Sequence, residues 1–98
     1  MGGWIMKYKI PKKVPIFGKS FKIKIIDTHE FAGMMDSDKG VIYLSVHQTH
    51  EQMIATYFHE IFHALHYRIG LNQALSRDMM EVLAESQATL LMEILHIN

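Results

Sequence analysis

Apolar residues recur with two different periods along this chain, and the change of period divides it. From His50 onward Ile54, Phe58, Ile61, Leu65 and Ile69 follow the helical repeat. One apolar stripe is therefore expected on a helix over residues 50–69. Thr49, with Gln52 three residues later, fits a capping box, and Gly70 fits the residue just past the helix end. Earlier, Phe21, Ile23 and Ile25 alternate with Lys22, Lys24 and Ile26. That spacing predicts a strand over residues 21–27 with one apolar face. Asp36-Ser37-Asp38-Lys39-Gly40 carries turn chemistry, and Val41 to Ser45 has high strand propensity. Residues 33–35 and 41–45 should pair as a hairpin.

Beyond the first helix, Ser76 is a fitting N-cap, and Asp78 stands where a helix dipole favours negative charge. A second long helix is expected over residues 77–96. Met80, Leu83, Ala84, Leu91, Ile94 and Leu95 form its stripe, widened by Val82, Leu90 and Met92. A helix this apolar round its girth should be buried on more than one side, with its last turns in a homodimer interface. Residues 1–18 are hard to read. Trp4, Ile5, Met6, Tyr8 and Ile10 suggest a short strand, but Pro11 and Pro15 interrupt pairing. The expected fold is α+β: a small, mostly antiparallel three-stranded sheet packed on the first helix, in two layers, as one domain.

Composition narrows the classes. The 98 residues are 49% hydrophobic, which is too apolar for a disordered chain. Ten basic residues balance ten acidic ones, which disfavours a general role on nucleic acid. Lys7, Lys9, Lys12 and Lys13 form a local basic cluster, read as a solvated face. There is no cysteine, so disulfides and thiolate metal sites are excluded. No stretch reads as a signal peptide or a membrane span, and a cytoplasmic protein is the expectation.

The chemistry sits on the first helix, in His59-Glu60-Ile61-Phe62-His63, an H-E-x-x-H pattern. Residues four apart on a helix share a face, so both imidazoles can point at one Zn2+. Glu60 is then placed to take a proton from a water on that metal. A bland alternative is a structural helix with histidines at its polar edge. Catalytic zinc usually takes three protein ligands. Glu81 and Glu85 on the second helix are the candidates for the third. Both helices rise about 1.5 Å per residue. His63 lies seven residues before Gly70 and Glu85 seven after Asp78, a matching depth for antiparallel helices. Glu81 matches if the helices are offset or strongly crossed.

Residues 21–95 resemble the small HExxH zinc metallopeptidases of phages, prophages and mobile elements, related to the ImmA/IrrE-type proteases of the gluzincin kind. The resemblance rests on residues 21–27, on the turn and strand of residues 36–45, on Tyr57-Phe58-His59-Glu60-Ile61-Phe62-His63-Ala64-Leu65, and on Met80-Glu81-Val82-Leu83-Ala84. It implies a hydrolase with Glu81 as third zinc ligand and Glu85 orienting His59 through its outer ring nitrogen. Glu60 would be the general base of peptide-bond hydrolysis. Residues 41–45 would bind an extended peptide by edge pairing, and the substrate would be a peptide or a regulatory protein such as a repressor. The proton donor or oxyanion stabiliser is open among Tyr43, Tyr57, Tyr67, His66 and His50, with His66 read as polar surface near the site.

Two other classes compete. A non-catalytic zinc-stabilised interaction module would close its metal site with a fourth protein ligand, His66 or Glu85. A nucleic-acid accessory protein would use the basic cluster, and neutral overall charge argues against it.

Overall fold

A computed structural model of the chain describes residues 8–95. Four strands come first: β1 (Lys13–Ile16), β2 (Lys19–Ile26), β3 (Gly33–Asp36) and β4 (Val41–Ser45). Helix α1 (His50–Arg68) follows. A 3-10 turn (Leu71–Gln73) then leads to helix α2 (Arg77–Ile94). The sheet order is β1-β2-β4-β3. The class is α+β, but the sheet has four strands and is mixed. β2 runs parallel to β4, with Ile23 opposite Ile42 and Ile26 opposite Ser45. The β1–β2 and β3–β4 pairs are antiparallel.

Two expectations of the sheet fail for identifiable reasons. Taking sequence neighbours as spatial neighbours gave a mostly antiparallel sheet of three strands. Instead, residues 27–32 carry the chain past β4 to the far edge, and the turn at residues 37–40 folds it back between β2 and β3. Gly40 closes that turn at φ +65, a conformation that favours glycine. The extra strand, β1, was hidden by its turn. Phe17 and Gly18 both adopt positive φ, 50 and 86, as a two-residue hairpin loop requires, and phenylalanine is an unusual residue there. Pro15 sits in an edge strand, where proline is tolerated. Of the suggested N-terminal strand, Trp4, Ile5 and Met6 lie outside the described residues, and Tyr8 and Ile10 are not in a strand. Lys9, Lys12 and Lys13 are exposed, while Lys7 lies outside the described residues.

The capping box forms as written. Thr49 Oγ1 accepts from Gln52 N at 3.1 Å, and Gln52 Oε1 accepts from Thr49 N at 2.9 Å. At the other end Gly70 takes φ +80. Arg68 Nη2 donates to Phe17 O at 2.9 Å, tying the last turn of α1 to the β1–β2 turn.

Layering follows from burial. β4, one of the two inner strands, buries Ile42 and Leu44 completely, and they join Phe21, Ile54, Tyr57 and Phe58 in the core between sheet and α1. On β2 the apolar face is covered at Phe21 but 54% exposed at Ile25. The α2 backbone comes close to α1 and the 3-10 turn but to no strand. The molecule is therefore three layers, sheet, α1 and α2, rather than two. α2 buries one face through Met80, Ala84, Ala88 and Met92, which recur every four residues. Val82, Leu90 and Ile94 stand open at 69%, 56% and 63%. Burial on more than one side is thus not met within the chain, because α2 is the outermost layer. Among the described residues no helix is long and apolar enough to cross a membrane.

Candidate metal centre

α1 is the middle layer, so its two polar-faced histidines are held between sheet and α2. His59 and His63 are one turn apart, with ring centroids 4.7 Å apart and planes at 74°. Their side chains are only 18% and 13% exposed. Glu81, from the second turn of α2, reaches both rings. Its Oε1 lies 2.9 Å from His63 Nε2 and its Oε2 3.2 Å from His59 Nε2. The two Nε2 atoms are 3.1 Å apart. One donor atom from each of His59, His63 and Glu81 lies within 4.8 Å of the others. On the opposite side of the ring, His59 Nδ1 donates to Glu85 Oε1 at 2.9 Å.

These contacts fix the proton inventory. The bond to Glu85 places the proton of a neutral His59 on Nδ1 and leaves Nε2 as a lone pair. Two imidazole nitrogens and both carboxylate oxygens of Glu81 then converge on one point. Burial pushes the His63 imidazole below its usual range, with the Glu81 charge opposing the shift. Neutral nitrogen and carboxylate donors converging with too little positive charge fit a divalent cation of the zinc type.

Glu60 is the buried acid of the group, 8% exposed. Burial pushes its carboxyl up to about 7; the neighbouring His59 offsets part of this and Glu81 adds to it. It lies where two hollows meet, sharing Gly33 and Glu81 as lining. The first hollow, about 720 Å³, is lined by polar Gln48, Gln52, Thr56 and Thr89 among others. The second, about 540 Å³, is richer in bulky groups, with Met34, Met35, Tyr67, Leu75 and Met80. Together they make one cleft passing over Glu60.

β3, not β4, lines this cleft. β4 has a strand on each side, so the expected edge pairing through residues 41–45 is ruled out by the sheet order. Gly33, at the start of β3, explains the closeness of strand and helix. A Cβ there would stand 2.4 Å from Thr56 Cγ2 and 3.1 Å from Glu60 Cγ. No sequence signal singled out Gly33, although a lone glycine opening a strand is a mark of close backbone approach.

The five donor candidates separate. Tyr67 lines the second hollow together with His63 and Glu60. Tyr57 is buried in the core against Tyr8, and burial pushes its hydroxyl up. His50 Nε2 meets Tyr8 O at 3.0 Å. Tyr43 belongs to β4 and presents its carbonyl behind Gly33. His66 is not polar surface: it is 1% exposed, and its Nε2 lies 2.6 Å from Gln87 Oε1. The surface expectation fails because α2 crosses over that side of α1. No known family, characterised protein or solved structure matches the chain.

Proposed function

We propose that the chain is a zinc-dependent metallopeptidase, with His59, His63 and Glu81 holding the ion and Glu60 as general base. The observation that carries the reading is the convergence of His59 Nε2, His63 Nε2 and the Glu81 carboxylate, with Glu85 on the outer nitrogen of His59. Bound there, zinc supplies Lewis acidity and lowers the pKa of a coordinated water towards about 7. Glu60 accepts the proton of the attacking water and returns it to the leaving amine. It is buried and lines both hollows together with Glu81, so it faces the space a substrate would enter. Glu85 keeps the His59 ring oriented and its Nε2 free. Tyr67 is the best-placed of the five donors to meet the carbonyl oxygen, and β3, an edge strand of the sheet among the described residues, offers main-chain pairing to an extended peptide.

The closed interaction module fits less well. Its two suggested fourth ligands are engaged elsewhere, His66 on Gln87 and Glu85 on the far nitrogen of His59. A repressor or another regulatory protein of a mobile element remains the proposed substrate class, on the resemblance alone. The test uses the full chain loaded with one equivalent of zinc and a set of unfolded protein substrates. Hydrolysis should require His59, His63 and Glu60. Glu60→Gln should keep the zinc and lose the cleavage. Undiminished cleavage by Glu60→Gln would refute the general-base role.

A further inference from the structure

A second convergence of metal-binding groups lies outside the helix cluster, at the carboxyl ends of the two parallel strands. Ile26 of β2 is opposite Ser45 of β4, so the residues leaving both strands emerge side by side. They are Asp27 and His29 on one, His47 on the other. We propose that Asp27, His29 and His47 form a second, exposed site for a divalent transition cation with zinc-like ligand preferences. This site is independent of the peptidase reading.

Three observations carry it. One donor atom from each of the three side chains lies within 4.8 Å of the others. His47 Nε2 is 2.5 Å from Asp27 Oδ1. The His29 ring faces the His47 ring at 3.8 Å between centroids, with planes 20° apart. A surface ion pair explains Asp27 with His47, and ring stacking seats His29 beside them, so that all three donor groups stand together on one exposed patch. Two imidazoles and a carboxylate are the donor set that zinc, nickel and copper take.

The backbone beneath is fixed. Ser45 is 3% exposed, and its hydroxyl joins both ligand-bearing segments. It donates to Thr28 O at 2.7 Å and accepts from His47 N at 3.1 Å. Val46 N donates to Ile26 O at 2.9 Å, and Ser45 N to Ala32 O at 2.8 Å. Ligands about 2.1 Å from one zinc stand roughly 3.4 Å apart in a tetrahedron. The remaining closure is rotation of three exposed side chains on an anchored frame. His47 also lines the polar hollow of the cleft, so a cation held here sits on the cleft's rim.

The site is tested by titrating the full chain with zinc chloride against a chromophoric chelator. The wild-type chain should show two classes of site, and His47→Gln and His29→Ala should each retain only one. Glutamine can still hydrogen-bond Asp27 but is a poor zinc ligand, so a merely structural role for His47 would leave the second class in place. His59→Ala/His63→Ala should lose the other class and keep this one, which separates its fate from that of the helix cluster. In the wild-type chain, the second equivalent should shift the ring nitrogen resonances of His29 and His47. The proposal is overturned if His47→Gln and wild type saturate at the same stoichiometry. It is equally overturned if the second equivalent leaves those resonances unmoved.

Discussion

Replacing Gly33 by alanine tests the packing that sets β3 against α1. The new methyl would stand 2.4 Å from Thr56 Cγ2, against about 3.5–4.0 Å for a comfortable carbon contact. Gly33 has no positive φ, so the backbone itself accepts alanine and the cost is steric. Neither partner can step aside freely. Tyr43 O is 3.4 Å behind the methyl, and β3 is held to β4 in register. Thr56 is stiff at χ1, and its hydroxyl is held at 2.9 Å by both Gln52 O and Gln48 Oε1. Overpacking of this kind costs about 1–3 kcal/mol. In a domain of this size that is a fall of about 5–20 °C in Tm. Thr56→Ser removes the obstructing methyl and keeps both hydroxyl contacts, so alone it should cost about 1 kcal/mol or less. In the double variant the alanine methyl occupies the vacated space, and the pair should couple favourably by about 1 kcal/mol or more. Urea unfolding of the four proteins, followed by circular dichroism, measures the cycle. A neutral Gly33→Ala, or the same Gly33→Ala penalty with and without Thr56→Ser, would refute the close approach.

Other outcomes follow from the helix cluster. Glu81→Ala should weaken zinc binding far more than Glu85→Ala, whose loss costs about 10–100-fold, the usual effect of removing a ligand's orienting partner. Competition titrations with a folding control decide this, and a more damaging Glu85→Ala would reverse the two roles. In the metal-free protein, Glu60 holds its proton to about 7 while the unfolded chain releases it near 4.5. Its contribution to stability is therefore lost as pH rises from 4.5 to 7, by about 3 kcal/mol. Metal-free Glu60→Gln should accordingly be the more stable protein at pH 8, with the gap closing by pH 4; parallel unfolding curves would contradict the burial argument. His63, held below its usual range, acts in the opposite sense, losing stability as pH falls through 6.5, and is common to both proteins.

The local signals were legible and the long-range ones were not. Thr49, Gln52 and Gly70 bounded α1 because caps act within a single turn. The placing of β4 between β2 and β3 has no local signature, since residues 27–32 encode a crossing and not a partner. The choice between Glu81 and Glu85 by depth assumed helices running side by side. In that arrangement His66 would meet Val82, in the second turn of α2. It meets Gln87 instead, while His63 meets Glu81, so the helices cross. Crossing lets Glu81 and Glu85 both reach His59 from opposite sides of its ring, which a depth match cannot express. The Asp27, His29 and His47 cluster was missed because His47 joins the other two only across a parallel pairing that was not foreseen.

The outermost position of α2 bears on how the protein comes apart. The α2 backbone approaches no strand, and it is held by the packing of Met80, Ala84, Ala88 and Met92 together with the contacts of Glu81, Glu85 and Gln87 to histidines of α1. An ion shared by His59, His63 and Glu81 would rivet this last layer to the middle one. Without it, α2 is the segment expected to open first, as a unit smaller than the whole fold. Amide hydrogen exchange should then be fast along α2 and slow in β4 in the metal-free chain. Zinc should slow the α2 amides selectively, and an equal gain of protection in every element would show that the layer does not move alone.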